Sequence, residues 1–281
     1  MKKGTTLFMS MILFTGIAFS QSNSNNLEQK GNNNTADVTQ TGTQNKTLIV
    51  HTGNNNDLTL GQNGAGNTAE NQITGSSNLV FLQQVGNANQ GVSLILANNN
   101  EATISQEGNF NIVNQDLQSD DSKASVFQEG NSNFSTQQQL GTGNQRAFAD
   151  IFGNNNLSAQ AQSGENQYSR LFVVGDANLH VVTQNGISNN MSAITEGSGN
   201  DMNVLQNGNN NFAGADNDPR LIQLGNDNSI LLVQDGNLNS SSINQEGNTN
   251  KAVNTQTGNE HSNIINQIGN TNKAFVTQSN N

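Results

Sequence analysis

The chain has 281 residues, 31% of them hydrophobic, with no Trp, one Tyr, one Pro and a formal charge of −11 at neutral pH. So polar and acidic a composition argues against an ordinary layered globule and offers no basic stripe to a nucleic acid. Cys is absent, so neither a disulfide framework nor a thiolate metal centre can hold the chain together.

Residues 1–20 carry Lys2 and Lys3, an apolar run from Leu7 to Phe19, and the small residues Ala18 and Ser20. That is the pattern of a secretory signal peptide cut near Ser20. The run falls short of the roughly 20 apolar residues that a membrane span needs, and no later run reaches that length, so no membrane span is expected.

Residues 21–281 read as one repeat domain. Starting at Gly31, an anchor recurs at Gly42, Gly53, Gly64 and onward to Gly247, Gly258 and Gly269, giving 22 anchors of which 20 are Gly. All but two of the intervals are eleven residues, the exceptions being Gly141 to Gly153 and Gly208 to Gly225. Asn stands three residues after the anchor in 19 of 22 cases, and Gln two residues before it in 15 of 22. Self-similarity at a fixed period marks a repeat architecture.

The arms between anchors alternate with period two, as in Asn34-Thr-Ala36-Asp-Val38-Thr-Gln40 and Asn272-Lys-Ala274-Phe-Val276-Thr-Gln278. That predicts strands, with the anchor glycines Gly31, Gly42, Gly53, Gly64, Gly247, Gly258 and Gly269 supplying the freedom of a tight turn. A helical coiled coil of eleven-residue period is opposed by the Gly and Asn in every unit.

Two kinds of arm alternate at first. Ala36-Val38-Gln40, Leu58-Leu60-Gln62 and Val80-Leu82-Gln84 end in Gln, whereas Ala69-Asn71-Ile73 and Val113-Gln115-Leu117 end in an apolar residue. The repeat is therefore about 22 residues: strand, turn, strand, turn. Its phase slips near 139–153, which reads as a lost or gained arm, and a loop insertion is expected near 212–221. Regular arms begin near Asn23 and the last ends at Gln278, so the final coil reads as built to receive another molecule.

The fold expected is all-β: an amyloid-like parallel β-solenoid whose stacked coils bring like residues above like at roughly 4.8 Å, so that Asn and Gln amides bond along columns. Outward residues such as Thr35, Asp37, Lys251 and Lys273 read as solvated.

These residues resemble the curlin repeat family, whose unit is Ser-x5-Gln-x-Gly-x-Gly-Asn-x-Ala-x3-Gln. Gln62-Asn-Gly64-Ala-Gly66-Asn67-Thr-Ala69 follows its middle closely, and Gln139-Leu-Gly141-Thr-Gly143-Asn144 follows its turn. Elsewhere the second Gly is usually replaced, as in Gln245-Glu-Gly247-Asn-Thr-Asn250. The resemblance implies a secreted subunit of curli-type extracellular amyloid fibres, of major-subunit or nucleator type, serving adhesion and biofilm matrix. Its partners would be its own copies, a related major or nucleator subunit, an outer-membrane secretion channel and accessory factors. It also assigns the self-assembly ladder to Gln40, Asn45, Gln62, Asn67, Gln84, Gln106, Gln128, Gln245, Asn250, Gln256, Gln267, Asn272 and Gln278.

Sharper chemistry finds little support. His51 replaces a Gln, His261 an Asn, and His180 takes an apolar slot, so none reads as a metal ligand. Asp120-Asp121 and Asp216-Asn-Asp218 lack the ligand series of a calcium loop and read as loops or as charges that discourage aggregation. No catalytic residue, metal or cofactor is expected. The competing reading is a monomeric cell-surface β-solenoid adhesin.

Overall fold

Period-two arms separated by glycine turns can bury an apolar face only by stacking on copies of themselves. The computed structural model describes residues 22–214 and 221–280, and among these the chain forms strands and turns with no helix. It runs through β1 (Ser24–Lys30), β2 (Thr35–Thr43), β3 (Lys46–Thr52), β4 (Asp57–Ala65), β5 (Thr68–Thr74), β6 (Leu79–Asn87), β7 (Gln90–Ile95) and β8 (Glu101–Asn109). It continues with β9 (Ile112–Leu117), β10 (Lys123–Asn131), β11 (Phe134–Gly141), β12 (Arg146–Phe152), β13 (Leu157–Glu165), β14 (Tyr168–Val174), β15 (Leu179–Ile187) and β16 (Asn190–Glu196). The last are β17 (Asp201–Asn209), β18 (Phe212–Ala213), β19 (Leu221–Leu224), β20 (Ser229–Asp235), β21 (Ser240–Glu246), β22 (Lys251–Thr257), β23 (Ser262–Ile268) and β24 (Lys273–Ser279).

Successive arms go to opposite sheets. The first sheet is ordered β1-β3-β5-β7-β9-β11-β13-β15-β17-β20-β22-β24, and the second holds the remaining strands from β2 to β23. Every pairing is parallel, and Ser24 stands beside Lys46, Lys46 beside Thr68 and Thr68 beside Gln90, a step of 22 residues. The result is a β-solenoid of about 11 turns, some 50 Å long at the usual strand spacing.

Alternate residues point between the sheets. Leu58, Leu60, Leu82, Ile104, Ile151, Leu171 and Met202 are fully buried there, each contributing roughly 1.5–3 kcal/mol by leaving water. Thr35, Asp37, Lys251 and Lys273 face solvent.

At the change of rhythm the Gln-ending arms move from the second sheet to the first while both sheets pass through unbroken: Leu117 pairs with Gln139, Gln139 with Gln162, and Gln128 with Ile151. The twelve-residue interval is one additional residue in the turn after β11, which lengthens the local step to 23. Asn144 therefore does not fill the Asn slot of that turn. It is exposed, and Gln145 is the buried residue that takes the slot.

The interval from Gly208 to Gly225 splits one arm into β18 and β19, both of which lie between β16 and β21. Residues 1–20, Asp216 and Asp218 lie outside the described residues.

Candidate functional site: amide ladders and coil ends

The turn sets the geometry of everything stacked on it. At Gly86, φ is +115°, and a Cβ there would stand 1.9 Å from the carbonyl oxygen of Gly108 in the next coil. Both the conformation and the close approach require Gly. The seven turn glycines named from the sequence share this state, with φ between +101° and +132°. The two anchors that are not Gly, Ala97 and Ser119, are also the two without a positive φ. There Leu96 and Gln118 donate backbone bonds to Leu117 and Gln139 instead. Two residues past the anchor the chain turns left-handed, as at Gly66 with φ +69° and Asn33 with φ +55°. This is the second Gly of the resembled unit; Asn tolerates the region through its short polar side chain, and bulkier residues such as Phe110 and Leu238 hold the same φ.

The Asn that closes each turn is buried and spans three coils. Asn67 donates from N and Nδ2 to Asn45 Oδ1, both at 3.1 Å, and from Nδ2 to the Gly86 carbonyl at 2.8 Å. Asn45, Asn67, Asn250 and Asn272 belong to one such column, which begins at Asn23. The opposite turns carry a second column, in which Asn56, Asn78 and Asn100 precede Ser122 and then Gln145.

The Gln amides form separate columns between the sheets. In the second sheet Gln40, Gln62, Gln84, Gln106 and Gln128 are joined Nε2 to Oε1 at 2.8, 2.8, 2.9 and 3.2 Å. The other Nε2 hydrogen of Gln62 crosses to the Lys46 carbonyl in the facing sheet at 3.2 Å. Within the column the buried amides of Gln62, Gln84 and Gln106 thus each use both donors and an acceptor, the condition under which burial is not costly.

Beyond Gln128 the column ends against Ile151, and a longer one starts in the first sheet: Gln139, Gln162, Gln184, Gln206, Gln234, Gln256 and Gln278. A third joins Gln223, Gln245 and Gln267 in the second sheet. A column's first acceptor is where satisfaction fails: Gln139 Oε1, above Leu117, is buried without a protein donor.

The residues chosen from the sequence therefore lie in four columns. Those left out share the same period, notably Gln139 to Gln234 and a line of turn residues one place past the anchor. In that line Asn87 N donates to Asn109 Oδ1 and Asn109 N to Asn131 Oδ1, each at 3.0 Å. The recurring Gly-Asn pair was the available signal. Asp120 occupies such a rung, accepting from Asn98 N at 2.7 Å.

The histidines stand on separate rungs. His51 Nε2 meets Asn71 Oδ1 at 2.9 Å, and burial, the dominant influence, lowers its pKa. His180 Nε2 meets Thr195 Oγ1 at 2.8 Å, and complete burial pushes its pKa down to about 4. His261 takes the Asn slot, its backbone N donating to Asn239 Oδ1 at 3.1 Å. Among the described residues no three His, Cys, Asp or Glu side chains gather as metal ligands would, and no helix is long and apolar enough to cross a membrane.

Among the described residues the columns stop at two edges that carry no further strand. Gln40, Asn23 and β1 bound one end; Gln267, Asn272, Gln278 and β24 bound the other. Among the described residues, Gln278 Nε2 donates only to the Ser262 carbonyl at 3.1 Å, and Asn272 Nδ2 only to that of Ile268 at 3.0 Å. Each leaves one amide hydrogen that its counterparts one coil earlier use.

Two facing parallel sheets with in-register amide columns define a polar-cored β-solenoid. The chain carries curlin-type repeats: the family model described as Curlin associated repeat matches residues 31–64, 53–86, 75–108 and 225–258. Each match begins and ends on an anchor glycine, and the first three are offset by the 22 residues of one coil. The substituted anchor Ser119, the lengthened turn and the split arm all fall between the third match and the fourth. None of the curated proteins compared with the chain matches it.

Proposed function

We propose that this protein is a secreted structural subunit of curli-like extracellular amyloid fibres, which grows by templated strand addition at the coil ends and serves adhesion and biofilm matrix. The observation that carries the reading is the pair of sheet edges bounding the described residues, at one of which the columns of Gln267, Gln278 and Asn272 stop with donors to spare. Unpaired sheet edges template further strands, and stacked amides reward in-register addition. Curlin repeats support a curli-type structural role, and the resemblance to the curlin repeat family is the ground for proposing an extracellular or cell-surface location, a signal peptide over residues 1–20, and export through an outer-membrane channel with accessory factors. The ladder residues act in this proposal as the docking rungs. The chain then needs no active site.

Thioflavin-T fluorescence of the purified chain should rise after a lag, and sonicated fragments of the product should abolish that lag. A soluble β-rich monomer indifferent to those fragments would instead favour a monomeric surface adhesin. Replacing Gln267 and Gln278 by Ala should slow seeded growth more than replacing Lys251 and Lys273.

A further inference from the structure

We infer that successive copies dock with a half-turn about the long axis, so that the first sheet of one copy continues the second sheet of the other. This rests on the fibre reading proposed above and adds the geometry of the junction.

The stagger of the coil supplies the first reason. Counting β18 and β19 as one arm, the described residues form an odd number of arms, and both outermost strands, β1 and β24, belong to the first sheet. The next strand after β24 in an unbroken coil would lie in the second sheet, above β23. A copy docked without rotation places β1 on β24 and leaves that position empty, a gap one strand wide. Turned by half a revolution, the copy lays β1 on β23 and β2 on β24, and both sheets continue without a gap.

Residue chemistry supplies the second reason, because the interior sides of the two junctions correspond. Asn25, Leu27 and Gln29 of β1 would cover Asn263, Ile265 and Gln267 of β23. Ala36, Val38 and Gln40 of β2 would cover Ala274, Val276 and Gln278 of β24. Gly31 and Asn34 would fall on Gly269 and Asn272. In the unrotated alternative Asn25 lies on Ala274, pairing a polar group with an apolar one.

The third reason is hydrogen bonding. The spare Nε2 hydrogens of Gln267 and Gln278 would meet Oε1 of Gln29 and Gln40, as Gln245 meets Gln267 at 2.8 Å within the chain. Asn272 Nδ2 would reach the Gly31 carbonyl, as Asn250 Nδ2 reaches that of Gly269 at 2.7 Å. Asn263 Nδ2, buried without an acceptor, would lie beneath Asn25. The end strands also carry the most exposed large apolar side chains, Ile264, Ile268 and Phe275, at 77, 67 and 65%.

The absence of native Cys makes the arrangement readable by disulfide mapping. In-register parallel strands hold Cα atoms roughly 4.8 Å apart, within the span a disulfide bridges. Two double variants place thiols together only across the half-turn junction: Thr39→Cys with Thr277→Cys, and Glu28→Cys with Asn266→Cys. Glu28→Cys with Thr277→Cys reports the unrotated junction. All these residues are exposed.

After assembly, oxidation with copper–phenanthroline and dissolution in denaturant, the first two variants should run mainly as covalent multimers above dimer, and the third should not. Multimers from the third variant, or from none although polymer sediments, would overturn the half-turn junction while fibre assembly stands. Failure of the parent chain and every variant to sediment would overturn both.

Discussion

The coils from β3 to β10 and those from β20 to β24 fill the same interior in different ways. In the earlier coils one Gln column, Gln62 to Gln128, lines one side of the core, while Ile73, Ile95 and Leu117 line the other. In the later coils Gln occupies both slots, with Gln234, Gln256 and Gln278 in one sheet and Gln245 and Gln267 in the other. The exchange is made by whole columns. A lone Gln among Leu and Ile would strand two donors and an acceptor, whereas a column leaves a deficit only at its ends, as at Gln139. Apolar and amide fillings are thus interchangeable at a slot provided that its vertical neighbours change with it.

The turn columns are common to both regions, and breaking them should have the largest effect. Gly86→Ala in the early coils and Gly247→Ala in the late ones each force a left-handed conformation costing ~1–3 kcal/mol, with a Cβ 1.9 or 2.1 Å from a backbone oxygen in the next coil. Hydrogen exchange should show both to lose protection in the adjoining coils, since a solenoid couples mainly nearest neighbours. Gly61→Ala, with nothing within 4 Å of its Cβ, should leave exchange unchanged.

Next in size is Leu82→Ala, which removes a fully buried side chain from the apolar-rich region. It should cost ~2–5 kcal/mol, read as loss of exchange protection in β4, β6 and β8 with the late coils unaffected.

Acid should separate the coil around His180 from its neighbours. Its folded pKa of about 4 lies below the ordinary 6.5, so between these values the unfolded chain holds a proton that the folded chain does not. Stability from this group is complete above pH 6.5 and declines as pH falls toward 4, by a total on the order of 3 kcal/mol. His180→Met, matching Met202 on the next rung, should remove most of the loss measured by exchange at pH 7 and pH 4.5. His51, shifted in the same direction, leaves a remainder of the same sign.

In the amide-rich region Gln256→Ala deletes the bonds from Gln234 and to Gln278 and should cost ~1–3 kcal/mol. The smallest effect tests the column rule directly. Asn254 lies between Leu232 and Val276, and its Oδ1 is buried without a donor. Asn254→Leu should therefore raise the melting temperature, corresponding to about 1 kcal/mol; a fall would mean that its 2.8 Å bond to Ser241 Oγ outweighs the apolar gain.

Much of the fold was legible because the side-chain period of a strand and the eleven-residue spacing of Gly, Asn and Gln are both written along the chain. The Asn columns and the Gln40 to Gln128 series follow from counting. The step at 139–153 is visible in the sequence as a change of rhythm, and the pairing resolves it into two parts: the Gln-ending arms change sheet between Gln128 and Gln139, and the turn after β11 holds one additional residue. A whole arm preserves the eleven-residue spacing and a single turn residue does not, but only pairing shows that Gln145 rather than Asn144 turns inward. The list of ladder residues was incomplete for a related reason: Gln162, Gln184 and Gln206 looked out of phase until the sheets showed that they extend one column from Gln139.

The sequence by itself determined that this protein coils, with what period, and which residues turn, because local conformational preference and a repeated pattern suffice for that. Tertiary structure alone decided which sheet each arm joins, where one amide column hands over to another, and which hydrogens remain unused at the end of the stack. Those features depend on the residue one coil above or below, 22, 23 or 28 positions away, and hydrogen-bond satisfaction is a property of that pairing.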